Sequence, residues 1–550
     1  MKFKTLSSVS VMALVLSACG GGGGDINIAP SNRVGDDNSV VNNGTDTGSN
    51  SDNPCASYEM DGSQVVGFLS GSDCIYDTNF VDLDQPLMVD LTIPSIPGVH
   101  IFQGSLVVGQ NYTSDADMSA AGITQGGDGA VLTIEAGQTL AFQSSDDYLV
   151  INRGSQIEAV GTAVNPITIT SVSDAVDGTV GAEDVSQWGG MIINGFGVTN
   201  KCSYTGTRGV DLALASECHV AAEGKAGAGQ TNYGGDNDAD NSGTLEYFIV
   251  KHTGALVDVG NELNGIAFDA VGSGTQVDYI QAYSTYDDGV EMFGGAVDIS
   301  HYVALYVRDD SIDIDEGYIG TFDYALVIQS ETDGNRCVES DGIGSYSSKD
   351  QAFIDDMIAR GLNSSATIKN LTCIVSAEEN GTHDPGQGLR IREAHFPTIQ
   401  NALITTAYSG DEKLGDDDYN YCVRIDNEGQ QAALDGDLIF EQSIVACQDL
   451  VDSDLEGQST LAWLDANSND TQQTAEAGED PTASANANLQ ILNGFYSLPV
   501  GDMVINGGPS TVVPTEGRSY IGAVSEDDNW ISGWTFGLQE TNSDQSLWFE

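Results

Sequence analysis

The stretch Val277-Asp-Tyr-Ile-Gln-Ala-Tyr-Ser-Thr-Tyr-Asp-Asp-Gly-Val-Glu-Met-Phe-Gly-Gly (277–295) is followed by Val297-Asp-Ile-Ser-His-Tyr-Val-Ala-Leu-Tyr-Val-Arg-Asp-Asp-Ser-Ile-Asp-Ile-Asp-Glu-Gly-Tyr-Ile-Gly (297–320). A third pass, Thr321 to Gly344, has the same form. Each pass runs from a short β-branched and aromatic segment through an acidic turn to a second short alternating segment and a glycine. The period, roughly 20–25 residues, is that of a solenoid. A unit this short cannot bury its apolar face alone and has to stack on its neighbours. The stretch predicts an all-β chain: a right-handed parallel β-helix with N- and C-terminal caps.

Upstream, Gly154-Ser-Gln-Ile-Glu-Ala-Val-Gly-Thr-Ala-Val-Asn-Pro-Ile-Thr-Ile-Thr (154–170) reads as one rung. Outward polar and inward aliphatic residues alternate in it, and small residues make the corners. Coils are expected over 130–450, interrupted by an excursion at 171–243. Residues 55–129 read as an N-terminal capping region. Residues 451–550 read as a loose segment and a cap built on Trp530 and Trp534. Helical periodicity is scarce, and Asp350–Arg360 is its best instance.

Of 550 residues, 40 % are apolar, enough to fold, and a solenoid core can lengthen along its axis without limit. Charge is the unusual quantity. Eighteen Lys and Arg face 82 Asp and Glu, a formal net charge of −64. Such a surface repels nucleic acid and polyanions and attracts cations.

Lys2, Lys4, the apolar run Val9–Leu16 and Leu16-Ser-Ala-Cys19 form a targeting segment too short to span a bilayer as a permanent helix. The segment resembles a bacterial lipobox. The resemblance implies a signal peptide at 1–18, cleavage before Cys19, acyl chains such as palmitate on that cysteine, and anchoring in the outer membrane. Loss of Lys2 and Lys4 would take the charge from −64 to −66. Residues 19–54, rich in Gly, Asn, Ser and Asp, would follow as a flexible tether.

Eight further cysteines, an even number in an exported chain, predict disulfides. Sequence neighbours give the simplest pairing: Cys55–Cys74, Cys202–Cys218, Cys337–Cys373 and Cys422–Cys447. The last pair, 25 residues or about one coil apart, is expected on adjacent stacked strands. No Cys-x-x-Cys, haem-attachment, phosphate-loop or nucleophile-elbow motif is present, so no nucleotide or haem is expected.

Five segments together resemble a widespread group of bacterial secreted or outer-membrane β-helix lipoproteins. They are Trp188-Gly-Gly, Asp240-Asn-Ser-Gly-Thr-Leu-Glu-Tyr, Asp287-Asp-Gly-Val-Glu-Met-Phe-Gly-Gly, Asp315-Glu-Gly-Tyr and the Trp530/Trp534 ending. The group is often encoded near TonB-dependent transporters and has no well-established activity. The resemblance implies fold and location, with a transporter as an expected partner.

Three constellations could carry chemistry. Asp236, Asp238 and Asp240 alternate as in the opening of a calcium loop, though no Glu stands at its twelfth position; an Asx-rich turn is the plain alternative. Asp287, Asp288 and Glu291, with Asp309, Asp310, Asp313, Asp315 and Glu316 on the next coil, form an acidic ladder. In-register stacking would bring these carboxylates within about 5–10 Å, a divalent-metal site or, alternatively, a solvated acidic face or a carboxylate pair for glycosidic acid/base work. Arg390, Arg392 and His395 are the weak candidates for lyase-type catalysis; pairing of the arginines with the acidic ladder is the simpler role. His252, His301 and His383 lack metal-ligand spacing.

The expected function is non-catalytic: binding a glycan, a metal such as calcium, or another nutrient at the outer membrane, beside a transporter. A polysaccharide lyase or glycoside hydrolase is the alternative by fold analogy, and a structural adhesin is the second. Exposed aromatics such as Tyr283, Tyr286 and Tyr318 would mark a binding module.

Overall fold

The computed structural model describes residues 53–123, 128–224, 230–254, 256–258, 261–376, 386–407, 421–474, 488–538, 542 and 545–549. The signal peptide, Cys19, most of the tether and His383 lie outside the described residues.

Alternation decides which face of each strand turns inward. In Val290–Phe293, Val290 and Met292 enter the main core while Glu291 and Phe293 point out. Ile312 and Ile314 continue the inner row, with Asp313 and Asp315 outside. Repeated coil after coil, this pattern builds a ten-stranded parallel sheet whose spatial order is its chain order. Its strands are Leu106–Val108, Leu149–Ile151, Met191–Asn194, Ile266–Asp269, Val290–Phe293, Ile312–Asp315, Arg336–Ser340, Gln387–Ile391, Tyr421–Ile425 and Asp449–Val451. A second, larger sheet closes each coil. The chain is a parallel β-helix.

The second sheet bends along its length. Gly243–Lys251 pairs through its first half with Gln156–Val160 and through its second half with Ile167–Ser171. At the bend Tyr247 takes a left-handed backbone conformation, φ 49°. Tyr279, His301, Tyr324, Asn370 and Asn401 repeat it, with φ between 51° and 59°. L-residues adopt this conformation at a cost of about 1–2 kcal/mol, and here side-chain contacts between coils offset it. The rings of Tyr247, Tyr279, His301 and Tyr324 stack with centroids 4.4, 4.2 and 4.8 Å apart. Beyond them Asn401 donates to Asn370 Oδ1 at 2.7 Å, and Asn370 donates to Asp323 at 2.6 Å.

Coils begin earlier than residue 130. Asp73–Tyr76 already pairs in parallel with His100–Phe102, and that strand pairs with Thr139–Phe142. Pro94 and Pro97 make this stretch look irregular, but they sit in a turn between strands. Within the expected excursion, Met191–Asn194 is a regular rung, and Trp188 is wholly buried in the main core. The Trp530/Trp534 ending does not cap the coil stack. It straps the outer face of the second sheet, covering Ile249, Val303, Leu305, Leu326, Ile328 and Ile374, apolar residues that alternation turns outward. The last coil instead packs against the helix Thr460–Ala466, whose Trp463 enters the main core. The helix Gln351–Ala359 forms as expected, with Asp350 accepting from Phe353 N–H at its N-terminus. Among the described residues no helix is long and apolar enough to cross a membrane.

All four expected disulfides are present. Cys422–Cys447 does not link equivalent positions on stacked strands, because the rungs place Tyr421 opposite Asp449 instead. Like Cys337–Cys373, it runs through the interior, joining the ten-stranded sheet to the second sheet's side of the coil, and all four sulfurs belong to the core. The Cys337–Cys373 loop spans 36 residues, so chain entropy assigns it about 3–4 kcal/mol. Replacing both cysteines by alanine should lower the unfolding free energy by that amount in chemical denaturation.

Candidate functional site

Parallel register turns one outward position into a row. Ala267, Glu291, Asp313, Glu339, Arg390 and Arg424 are successive partners across the ten-stranded sheet. Adjacent strands lie about 4.8 Å apart, so the acidic members meet at close range and the row changes sign after Glu339. A second row, Asp288 and Asp310, precedes the strands; Asp288 Oδ1 accepts from Asp310 N–H at 3.0 Å, and Asp310 Oδ1 from Arg336 N–H at 2.7 Å.

Where the rows converge, two groups form: Asp288, Glu291 and Asp313, and Asp287, Asp288 and Asp309. In each group the ligand oxygens lie within 4.8 Å of one another. Asp288 and Glu291 are buried, and Asp313 is half-buried. Asn264, 3 % exposed, donates Nδ2 to Glu291 Oε2 at 2.6 Å. Among the described residues, no arginine or lysine forms an ion pair with Asp288, Glu291 or Asp313.

Burial first, and then the neighbouring carboxylates, push Asp288, Glu291, Asp310 and Asp313 well above the usual carboxylate range. Asp315 is pushed up to about 8 by burial and then by Glu316. Glu393 rises to about 7 by burial and then by Asp341. An electrostatic arrangement of this kind takes up either protons or cations.

Downstream, arginines neutralise the row. Arg336 meets Asp310 at 3.3 Å and Glu339 at 2.9 Å. Arg392 meets Glu339 at 3.1 Å and Asp341 at 2.5 Å, and Arg390 meets Asp426 at 3.3 Å. Arg390 and Arg392 therefore act as ion-pair partners of the acidic face. His395 is wholly buried, its Nδ1 bonded to Ser340 Oγ and its Nε2 accepting from Ala366 N–H, so it faces no solvent-borne substrate.

Glu316 and the Asp236–Asp240 triplet hold the excursion instead of converging on a cation. Glu316 accepts from Thr199 Oγ1 at 2.6 Å and Tyr233 OH at 2.8 Å, and it pairs with Lys201. Asp238 takes both Nε and Nη2 of Arg208 at 2.7 Å, while Asp236 accepts from Leu214 N–H and Asp240 from Phe196 N–H. Spacing alone could not reveal Arg208, 30 residues away. Of the expected platform aromatics, Tyr283 and Tyr318 are wholly buried and Tyr286 is half-buried. Asn264, Glu339 and Asp341 were not legible as candidates, whereas Asp309 and Asp310 belong to the ladder expected from the sequence. The recurrence Asn264-Gly-Ile, Asp288-Gly-Val, Asp310-Ser-Ile is the signal that marks the pre-strand row.

A carboxyl whose folded pKa is raised contributes its full stability only below its unfolded value, near 4, and loses it as pH climbs through the folded value. For Asp315 that window runs from about 4 up to about 8. In chelator, the melting temperature should fall between pH 5 and pH 8.5, and Asp315→Asn should flatten the decline.

The pectate-lyase-like β-helix domain matches residues 110–490, well over half of the chain. No curated protein and no solved structure matches it. With its stacked rungs and this match, the chain belongs to the pectate-lyase-like β-helix family.

Proposed function

We propose that this chain is a cation-loaded, non-catalytic binding protein of the outer-membrane surface, held there by lipid on Cys19, that captures a glycan, metal or other nutrient beside a transporter. One observation carries the cation: Asp288, Glu291 and Asp313 place oxygens within 4.8 Å of one another. Calcium takes six to eight oxygen ligands and suits a set of hard carboxylates. Its charge offsets the repulsion that otherwise keeps these groups protonated. The leader, with Lys2, Lys4 and the run to Cys19, supports the location. Arg390 and Arg392 are engaged in ion pairs and His395 is buried, which weighs against lyase chemistry.

Calcium titration of the full chain tests this reading. At constant ionic strength, so that screening does not change, affinity is expected on the order of 10⁻⁴ M or tighter. Calcium at 100 times Kd should then stabilise the fold by about 2.7 kcal/mol. Asp288→Asn should abolish both the heat and the melting shift. A wild-type chain that gives neither would refute the cation reading.

Family membership and two carboxyls pushed up, Glu393 to about 7 and Asp315 to about 8, favour a second reading, action on polysaccharide, since a general acid must hold its proton near neutral pH. The binding reading predicts no reducing ends and no unsaturated uronate when the calcium-loaded chain is incubated with acidic and neutral polysaccharides. Release of either would put the enzyme first.

A further inference from the structure

Residues 199–201 of the excursion close over Glu316, a carboxyl wholly shielded from solvent. Asn200 N–H donates to the Glu316 carbonyl at 2.9 Å, which fixes the two backbones against each other. Thr199 Oγ1 and Tyr233 OH both donate to Glu316 Oε2, at 2.6 and 2.8 Å. Lys201 Nζ lies against the other oxygen, Oε1, which accepts no hydrogen bond. Gly344 leaves room for this meeting: a Cβ there would stand 3.0 Å from Lys201 Cε and 3.1 Å from Glu316 Cγ. Glu316 itself holds a left-handed backbone, φ 58°, which an L-residue adopts only at a cost.

A second carboxyl belongs to this pocket. Register places Asp269 two rungs from Asp315, the residue before Glu316, on the same outward face. Asp269 is wholly buried, and among the described residues neither of its oxygens has a hydrogen-bond partner. Burial first, and then the charge of Glu316, push it well above the usual carboxylate range, while Lys201 acts on it in the opposite sense. A buried acid that makes no bond adds nothing to the fold.

We infer that Lys201 and Glu316 join through an amide bond that forms once the chain has folded. Their ion pair is the reactant. Nζ passes one proton to Oε1 and, as a neutral amine, attacks Cδ. Thr199 and Tyr233 hold the negative charge that develops on Oε2, as donors aimed at an oxyanion do. The C–N bond forms, a second amine proton reaches Oε1 through Asp269, and Oε1 leaves as water. Asp269 gives up one proton and regains another. One ammonium and one carboxylate become one amide and one water, with nothing oxidised or reduced. Groups held in contact react as if at about 10⁵ M or more, and burial of Glu316 keeps water from reversing the step. The bond would tie the excursion to the rung that carries Glu316. Cys202–Cys218 does not, since both of its cysteines lie within the excursion.

Trypsin digestion of the full chain after denaturation, reduction and alkylation, read by mass spectrometry, tests the inference. Trypsin does not cut after an acylated lysine. The wild type should yield residues 154–208 uncut at 201 and joined to 309–336, at the sum of the two masses less one water. Lys201→Arg keeps the charge pair and should release 309–336 unmodified. Asp269→Asn should remain largely unlinked, with cleavage after Lys201. Circular dichroism and the presence of all four disulfides establish that both variants are folded. A folded wild type that is cut after Lys201 and releases 309–336 at its unmodified mass overturns the inference. Linkage undiminished in Asp269→Asn overturns the part assigned to Asp269.

Discussion

In-register stacking of parallel rungs is the constraint on which the other features of this chain depend. A residue type repeated at one position of the coil meets its own kind about 4.8 Å away. Aliphatic residues at Val290, Ile312, Val338, Leu389, Val423 and their equivalents become a continuous core. Aromatic residues at the bend of the second sheet become a stack that holds a left-handed backbone. Carboxylates at the outer position of the ten-stranded sheet become a row of like charges. One rule of geometry is stabilising for the first two sets and destabilising for the third.

The chain handles that third set differently along its length. Asp310, Glu339 and Asp426 have their charge taken up by arginines. Among the described residues, Asp288, Glu291 and Asp313 do not. With 18 basic residues against 82 acidic ones, the arginines are few, and those near this face are gathered beside the ladder's downstream end. Asp288 and Glu291, left without arginines, are buried, where repulsion is less screened than at an exposed surface. Burial and like charge push Asp288, Glu291 and Asp313 well above the usual carboxylate range.

The fold was legible because solenoid periodicity is local: each pass of 277–344 announces its own strands and turns. The disulfide partners followed from proximity in sequence, although their course through the interior did not. The acidic ladder was legible in part. Glu291 and Asp313 share one outward position of recognisable strands, so register alone brings them together, and Asp288 stands just before its strand. Asp236–Asp240 and Glu316 misled because their partners, Arg208, Thr199, Tyr233 and Lys201, come from the long excursion, whose path no repeat dictates. The C-terminal tryptophans read as an end cap for the same reason. Their docking face, the outward apolar residues of the second sheet, is set by tertiary packing.

Anomalous diffraction from crystals of the chain grown with saturating manganese tests the central claim most directly. The account predicts strong anomalous density enclosed by Asp288, Glu291 and Asp313. Those three carboxylates bare in a saturated crystal, with the density lying instead at Asp236–Asp240, would contradict it.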